Sequence, residues 1–269
     1  MAQKQPNIEF PYPPRRIKVE MVGATPLYKA KERLKVVDAL SSEEKLSPEL
    51  WAIHERGAEP FDRKKFQQYG NHSAPVSLYV LRKRQLWYDL DLSIDTRPRL
   101  DMDFHPKKLK PANLPLVFTA GDLLAEAFRC DFGWVHLVSF VRLPSDDPED
   151  VSQKLMDMGF DPHHAYRDHG PGGLGFRTYL GPSALKQIGK YVRSLPAPFV
   201  VRDLAWGGAS IDLLPEPWLA DAKTLHAQWH AAMEHFRPAK FFATPTVKSN
   251  GAVSWTKGPN CTGLFGVKE

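Results

Sequence analysis

Polar and apolar residues alternate one for one along the stretch Gln85 to Phe104, QLWYDLDLSIDTRPRLDMDF. Leu86, Tyr88, Leu90, Leu92 and Ile94 fall on one side of the alternation, with Trp87, Asp89, Asp91, Ser93 and Asp95 on the other. Beyond a Thr96-Arg97-Pro98 break, Leu100, Met102 and Phe104 alternate with Asp101 and Asp103. A period of two sends successive side chains to opposite faces of a strand. A short break holding proline fits a hairpin connection. The stretch therefore predicts two antiparallel strands, apolar on one face and lined with aspartates on the other. Val76 to Leu81 (VSLYVL) predicts a third strand of the same sheet.

The rest of the chain supplies helices and further strands. Arg15 to Val22 alternates, and with Pro13 and Pro14 just outside it reads as an edge strand. Thr25-Pro26 and Ser47-Pro48-Glu49 read as helix starts. The first would carry Leu27, Leu34, Val37 and Leu40, the second Leu50, Trp51 and Ile53, and Phe61 to Tyr69 gives a third short helix. Thr119-Ala120-Gly121-Asp122 resembles a capping box ahead of the stripe Leu123, Leu124, Ala127 and Phe128. Trp134 to Leu143 is the most apolar strand and belongs in the middle of the sheet. Ser145 to Glu149 caps a helix running to about Met158, and Pro182-Ser183 opens another. Phe199 to Ala205 and Ser210 to Leu214 flank Trp206-Gly207-Gly208-Ala209 as a hairpin. Pro215-Glu216-Pro217 starts the longest helix, with Leu219, Leu225, Trp229, Met233 and Phe236 at helical spacing. A last hairpin turns at Asn250-Gly251.

Strands in groups with helices between them predict an α+β fold, a mainly antiparallel sheet packed with helices. The expected organisation is an N-terminal helical extension over 1–74, an α+β core over 75–242 and a hairpin tail over 243–269. Whether the core is one continuous sheet or two subdomains is open at this level.

Composition narrows the function classes. The chain has 269 residues, 42% hydrophobic and 25% charged, which suits a globular domain with a substantial core. No apolar run approaches the ~20 residues that span a bilayer, and the N-terminus has no apolar stretch of a secretory signal. Cys130 and Cys261 are the only cysteines, too few for a disulfide framework, and they suit a reducing compartment. The expectation is a cytoplasmic protein with no membrane partner. The net charge of +5 is spread over short clusters such as Arg82-Lys83-Arg84 and Lys107-Lys108-Lys110. Such clusters are more often solvated faces than nucleic-acid sites, so direct nucleic-acid binding is not expected.

Three readings compete for Asp89, Asp91, Asp95, Asp101 and Asp103. They could bind a hard divalent cation, dock a basic partner, or simply keep a solvent-facing sheet from edge pairing. Trp87 and Arg99 share their face by alternation, and an aromatic and an arginine among charges fit an interface better than a metal cage. His163, His164 and His169 lie with Asp161 and Asp168 in a glycine-rich loop, where adjacent imidazoles rarely converge on one ion. His226 and His230 are one helical turn apart, but Ala227 stands where a zinc protease has its glutamate, so they read as the flank of a packing face. Gly170 to Gly175 lacks the ending of a phosphate loop. No catalytic constellation emerges, and no cofactor is expected. The alternative to a binding protein is a metal-dependent hydrolase using the hairpin aspartates with the loop histidines.

The aspartate-rich hairpin, the strand FGWVHLVSF and the run WGGASIDLLPEPW before the long helix together resemble the immunity protein 52 family of bacterial toxin–antitoxin pairs. The likeness spans about Val76 to Phe242. It implies a cytoplasmic protein without enzymatic activity that binds and neutralises one restriction-endonuclease-like nuclease toxin delivered by type VI secretion. No toxin-contacting residue carries over from the family. The partner-binding candidates from the residues themselves are Trp87, Asp89, Asp91, Asp95, Arg99, Asp101 and Asp103, with Trp206 and Trp218 as a rival, steric surface.

Overall fold

The structure, a computed structural model, describes residues 16–53, 57–69, 77–93, 98–138, 169–247 and 253–261. The aspartate hairpin forms as the alternation predicts. β4 (Ser77–Arg82), β5 (Tyr88–Ser93) and β6 (Arg99–Phe104) are consecutive antiparallel neighbours, with Leu90 opposite Met102 and Asp91 opposite Asp101. Leu78, Val80, Tyr88, Leu90, Leu92, Leu100 and Met102 are fully buried on the apolar face. Ile94 and Asp95 lie outside the described residues, as does the expected helix from Ser145 to Met158.

β1 (Arg16–Val22) corrects the expectation of an edge strand. It pairs with β6 on one side and with β7 (Phe132–Val138) on the other, in the interior of the sheet. The two prolines precede the strand and so remove no donor from its ladder. Both faces of β1 are covered, since Ile17, Val19 and Met21 are buried on one side and Lys18 and Glu20 on the other. β7 continues to β8 (Arg177–Leu180), then to the hairpin β9 (Val200–Asp203) and β10 (Ala209–Asp212). At the far end β2 (Leu50–Ala52) and β3 (Glu59–Pro60) pair beside β4. One continuous antiparallel sheet results, ordered β3-β2-β4-β5-β6-β1-β7-β8-β10-β9. Its edges are blunted by Pro60 in β3 and by the exposed Arg202 and Asp203 of β9. β11 (Thr244–Val247) and β12 (Val253–Thr256) make the tail hairpin.

Helices α1 (Ala30–Ser41) and α3 (Leu114–Phe128) pack on each other and bury Val36, Val37, Leu40, Val117, Leu124 and Phe128. Between them in sequence, α2 (Arg63–Gln68) is capped by the Asp62 carboxylate. Arg33 of α1 is fully buried, and its guanidinium donates to the carbonyls of Leu27, Tyr28 and Tyr69, tying the β1–α1 connection to the end of α2. α4 (Pro182–Arg193) begins at the expected proline. α5 (Ala222–Phe236) begins later than Pro215, because Asp221 is the residue whose side chain caps it, accepting from the Thr224 amide. Of its expected stripe, Leu225, Trp229 and Phe236 are buried and Met233 is half-buried, whereas Leu219 lies before the helix and is exposed.

Three further local start signals give way to tertiary packing. Thr25 donates its hydroxyl to the Phe128 carbonyl instead of capping α1. Ser47-Pro48-Glu49 leads into β2, where Leu50 finds Leu81 across the ladder. Thr119 to Asp122 lies inside α3, which starts at Leu114 with Pro115 in its first turn. Gly121 has a different purpose from the capping box it resembles. A Cβ there would meet Val135 Cγ2 at 2.5 Å and the Tyr179 hydroxyl at 2.7 Å, so the glycine lets α3 lie flush on β7 and β8. Alanine would favour the helix by roughly 1 kcal/mol, but overpacking costs about 1–3 kcal/mol. Gly121→Ala is therefore expected to lower stability by about 1 kcal/mol in urea unfolding, the middle of the net range, and a raised midpoint would contradict this packing.

Candidate functional site

Register assembles the candidate site in four cross-strand rows. On the face of β5 and β6 opposite the core, Ser93 faces Arg99, Asp91 faces Asp101 and Asp89 faces Asp103. Trp87 and His105 extend the same register by one row, joined by the His105 amide donating to the Trp87 carbonyl at 2.9 Å, and their rings stack with centroids 5.0 Å apart. Tyr79, Leu81 and Lys83 close the β4 side, and with Asp89, Asp91, Asp101 and Asp103 they line a cavity of about 380 Å³. Trp87 and the aspartates therefore share one face, as parity requires. Asp95 lies outside the described residues.

Like charges directly opposite each other are destabilising, and cations are built in among them. Lys18 of β1, 2% exposed, reaches Asp101 at 3.1 Å, Asp103 at 3.8 Å and Glu20 at 3.9 Å. Arg16 binds Asp103 through two bonds of 3.0 and 3.3 Å, Lys83 lies 3.5 Å from Asp89, and Arg99 lies 3.5 Å from Asp91. Asp89 and Asp103 remain the accessible acids, with side chains 52% and 41% exposed. Next to Lys18 across β7 stands His136, fully buried against the rings of Trp134 and Phe176. Burial pushes its imidazole down to about 3.

Trp206 and Trp218 do not join this face. Trp206 sits in the β9–β10 turn with its ring against Gly208. Trp218 follows β10 and packs on Phe118 of α3, 5.0 Å between centroids, on the other side of the sheet. Beside it is a second charged group that sequence reading missed. Arg177 binds Asp212 through bonds of 2.6 and 2.9 Å and Asp122 at 2.7 Å, while Tyr179 donates to Asp122 at 2.7 Å and Arg202 to Asp212 at 2.6 Å. Partial burial raises the Asp122 carboxyl above its usual range despite Arg177 beside it. No spacing in the sequence joins these residues, whose bonded partners lie up to 57 positions apart. They lock α3 to β8 and β10.

Of the loop histidines, His163 and His164 lie outside the described residues with Asp161 and Asp168, and His169 lends its carbonyl to the Gly258 amide. His226 and His230 stand side by side on α5, ring centroids 6.4 Å apart. Among the described residues no three His, Cys, Asp or Glu side chains are grouped to hold a metal ion, and no helix is long and apolar enough to cross a membrane. A second groove of about 760 Å³ between α1 and α3 has lining charges of both signs, among them Lys29, Asp38, Glu126 and Arg129.

No protein-family model matches this chain, and no curated protein matches it either. Among solved structures it is similar to the Pseudomonas aeruginosa T6SS protein PA0821, with a TM-score of 0.54 and 12% identity, covering 82% of this chain and 76% of that one. The likeness is one of fold.

The aspartate rows depend on Lys18. Lys18→Met removes the ammonium from among Glu20, Asp101 and Asp103 and is expected to cost about 3 kcal/mol, at the low end for breaking a buried ion pair because Asp103 is half open to water. Chemical denaturation reads this directly. His136 gives a pH dependence of defined sign. The unfolded imidazole takes up its proton near 6.5 and the folded one only near about 3. Between those values the unfolded state binds more protons, so stability falls as pH drops through that window, by about 1.4 kcal/mol per pH unit at most. Urea midpoints measured from pH 7 to pH 4 should show this slope, and His136→Phe should flatten it.

Proposed function

We propose that this chain is an immunity protein, one that binds and neutralises a cognate nuclease toxin delivered by type VI secretion, by protein association and without catalysis of its own. The observation that carries the reading is the cavity between β4 and β6, with Asp89 and Asp103 accessible and Trp87 at one end of the rows. A nuclease presents cations to the phosphate backbone. A rigid acidic face on β-strands fits such a surface and is steered to it before contact. Two likenesses support the placement in type VI secretion. The fold is shared with a T6SS protein, and in size and segment order the chain resembles TsiT, the immunity partner of the nuclease effector TseT. On this reading the protein acts in the cytoplasm, where an incoming nuclease would reach DNA.

The structure's geometry selects the residues for the test. Asp101 and Asp103 both lie on the buried Lys18, so reversing the charge of either would disturb the fold; Asp89 meets the accessible Lys83 and can be reversed, while Asp103 can be neutralised as its isostere. A tagged copy purified from its native cells is expected to bring down one stoichiometric partner with a nuclease domain, identified by mass spectrometry. With that partner immobilised, Asp89→Lys/Asp103→Asn should associate about tenfold more slowly than the unaltered chain and with a weaker dependence on salt. Recovery of the protein alone, carrying bound metal, would overturn the proposal in favour of a hydrolase. Equal association rates would remove the acidic face from the interface and leave Trp206 and Trp218 as the surface to test.

A further inference from the structure

The acidic rows end in a basic one. Trp87 and His105 form the last cross-strand pair on that face, and the Lys83 and Lys108 ammoniums lie 4.7 and 5.8 Å from the Trp87 ring centroid. Arg84, 85% of its side chain exposed although its guanidinium lies 3.8 Å from Glu49, and the exposed Lys107 flank them. Two connections carry these cations, the β4–β5 turn and the short turn Pro106–Lys108 that follows β6. Both are anchored. Leu86 is fully buried beneath the first turn, Gln85 takes a left-handed conformation at φ 54, and the Trp87–His105 backbone bond joins one connection to the other. A non-glycine residue in that region costs free energy and persists only where its surroundings impose it. The turn is therefore held in shape, and its cations project from a fixed platform.

We infer that this basic ledge is a docking surface for a carboxylate-bearing segment of a protein partner, working together with the acidic cavity beside it. A nucleic acid fits the observations less well. Stacking on a base needs a free aromatic face, and Trp87 is stacked on His105 and approached by two ammoniums. A phosphate backbone lying across the ledge would also meet Asp89 and Asp103 in the adjoining rows. A protein surface avoids this conflict, because it can set carboxylates over the ledge and cations over the cavity. The identity of that partner rests on the immunity reading. A metal-dependent nuclease has both signs within one cleft, carboxylates that hold its metal and cations that hold its substrate.

The chemistry of the ledge can be tested without the toxin. A short fluorescein-labelled glutamate peptide and a single-stranded oligonucleotide of equal charge are titrated against the full chain, with anisotropy as the readout. The peptide is expected to bind more tightly than the oligonucleotide and to weaken with salt. Lys83→Glu/Arg84→Glu/Lys108→Glu should reduce peptide affinity by about tenfold or more. Arg84→Gln/Lys107→Gln, which leaves the contacts of Trp87 in place and sets no new charge beside Glu49, should reduce it in the same direction with an unchanged melting temperature. Peptide binding indifferent to both variants overturns the inference. Tighter binding of the oligonucleotide, lost in the variants, also overturns it and makes the ledge a nucleic-acid site. The immunity reading fails separately, by the absence of a co-purifying toxin while the peptide still binds. A toxin that depends on Asp89 and Asp103 but ignores both ledge variants sinks the ledge alone.

Discussion

Lys18 supplies the positive charge around which the sheet is assembled. Three adjacent strands set acids side by side on one face, Glu20 of β1, Asp101 and Asp103 of β6, and Asp89 and Asp91 of β5. In water such neighbours would push the strands apart. The Lys18 ammonium, almost wholly withdrawn from solvent, lies within 4 Å of three of these carboxylates. Arg16, Lys83 and Arg99 hold the outer ones. Register therefore matters doubly here. A slip of one residue between β1 and β6 would turn Ile17, Val19 and Met21 off the core, and it would also carry Lys18 away from the acids it balances.

The opposite face of the sheet is fixed by a different constraint. α3 must come close enough to β7 and β8 for Asp122 to meet Tyr179 and Arg177, and Gly121 makes that approach possible. Arg177 then bridges the helix to Asp212 of β10, so that β8, β10 and α3 share one charged knot. One face thus carries helices locked by a buried salt bridge, and the other carries accessible acids and bases held by their own pairings. A sheet stiffened in this way can present Asp89, Asp103 and the Trp87 ledge without reorganising, which lowers the ordering cost of binding.

The parts of this structure written locally were legible in the sequence. Alternation alone placed Leu90 and Met102 inside, Asp91 and Asp101 outside, and Trp87 on the aspartate face. Helical spacing placed Leu225, Trp229 and Phe236 on the buried stripe of α5. The parts that depend on distant partners were not legible. Lys18 reaches Asp101 across 83 positions, and nothing near Lys18 distinguishes it from a solvated lysine on an edge strand. The same is true of Arg177 and Asp212. Proline after Ser or Thr reads as a helix start because the local backbone favours one, yet Leu50 and Trp51 gain more by pairing with Leu81 and Val80 in the ladder. Gly121 resembled part of a cap because close approach between a helix and a sheet leaves no mark in the sequence beyond the missing side chain.

The arrangement of signs on the open face bears on discrimination more than on strength. Exposed ion pairs add little affinity each, and a purely acidic surface would attract many basic proteins, nucleic-acid-binding proteins of the same cell among them. A cation row at the end of the acid rows changes this. A partner with basic groups alone would set some of them against Lys83, Arg84 and Lys108, and like charges brought together cost more than the favourable contacts return. Only a surface whose signs run in the complementary order meets both halves. Placing Lys83 where it touches Asp89 and Trp87 at once couples the two halves physically, so the acidic cavity and the basic ledge act as one recognition surface whose selectivity comes as much from the partners it repels as from the one it holds.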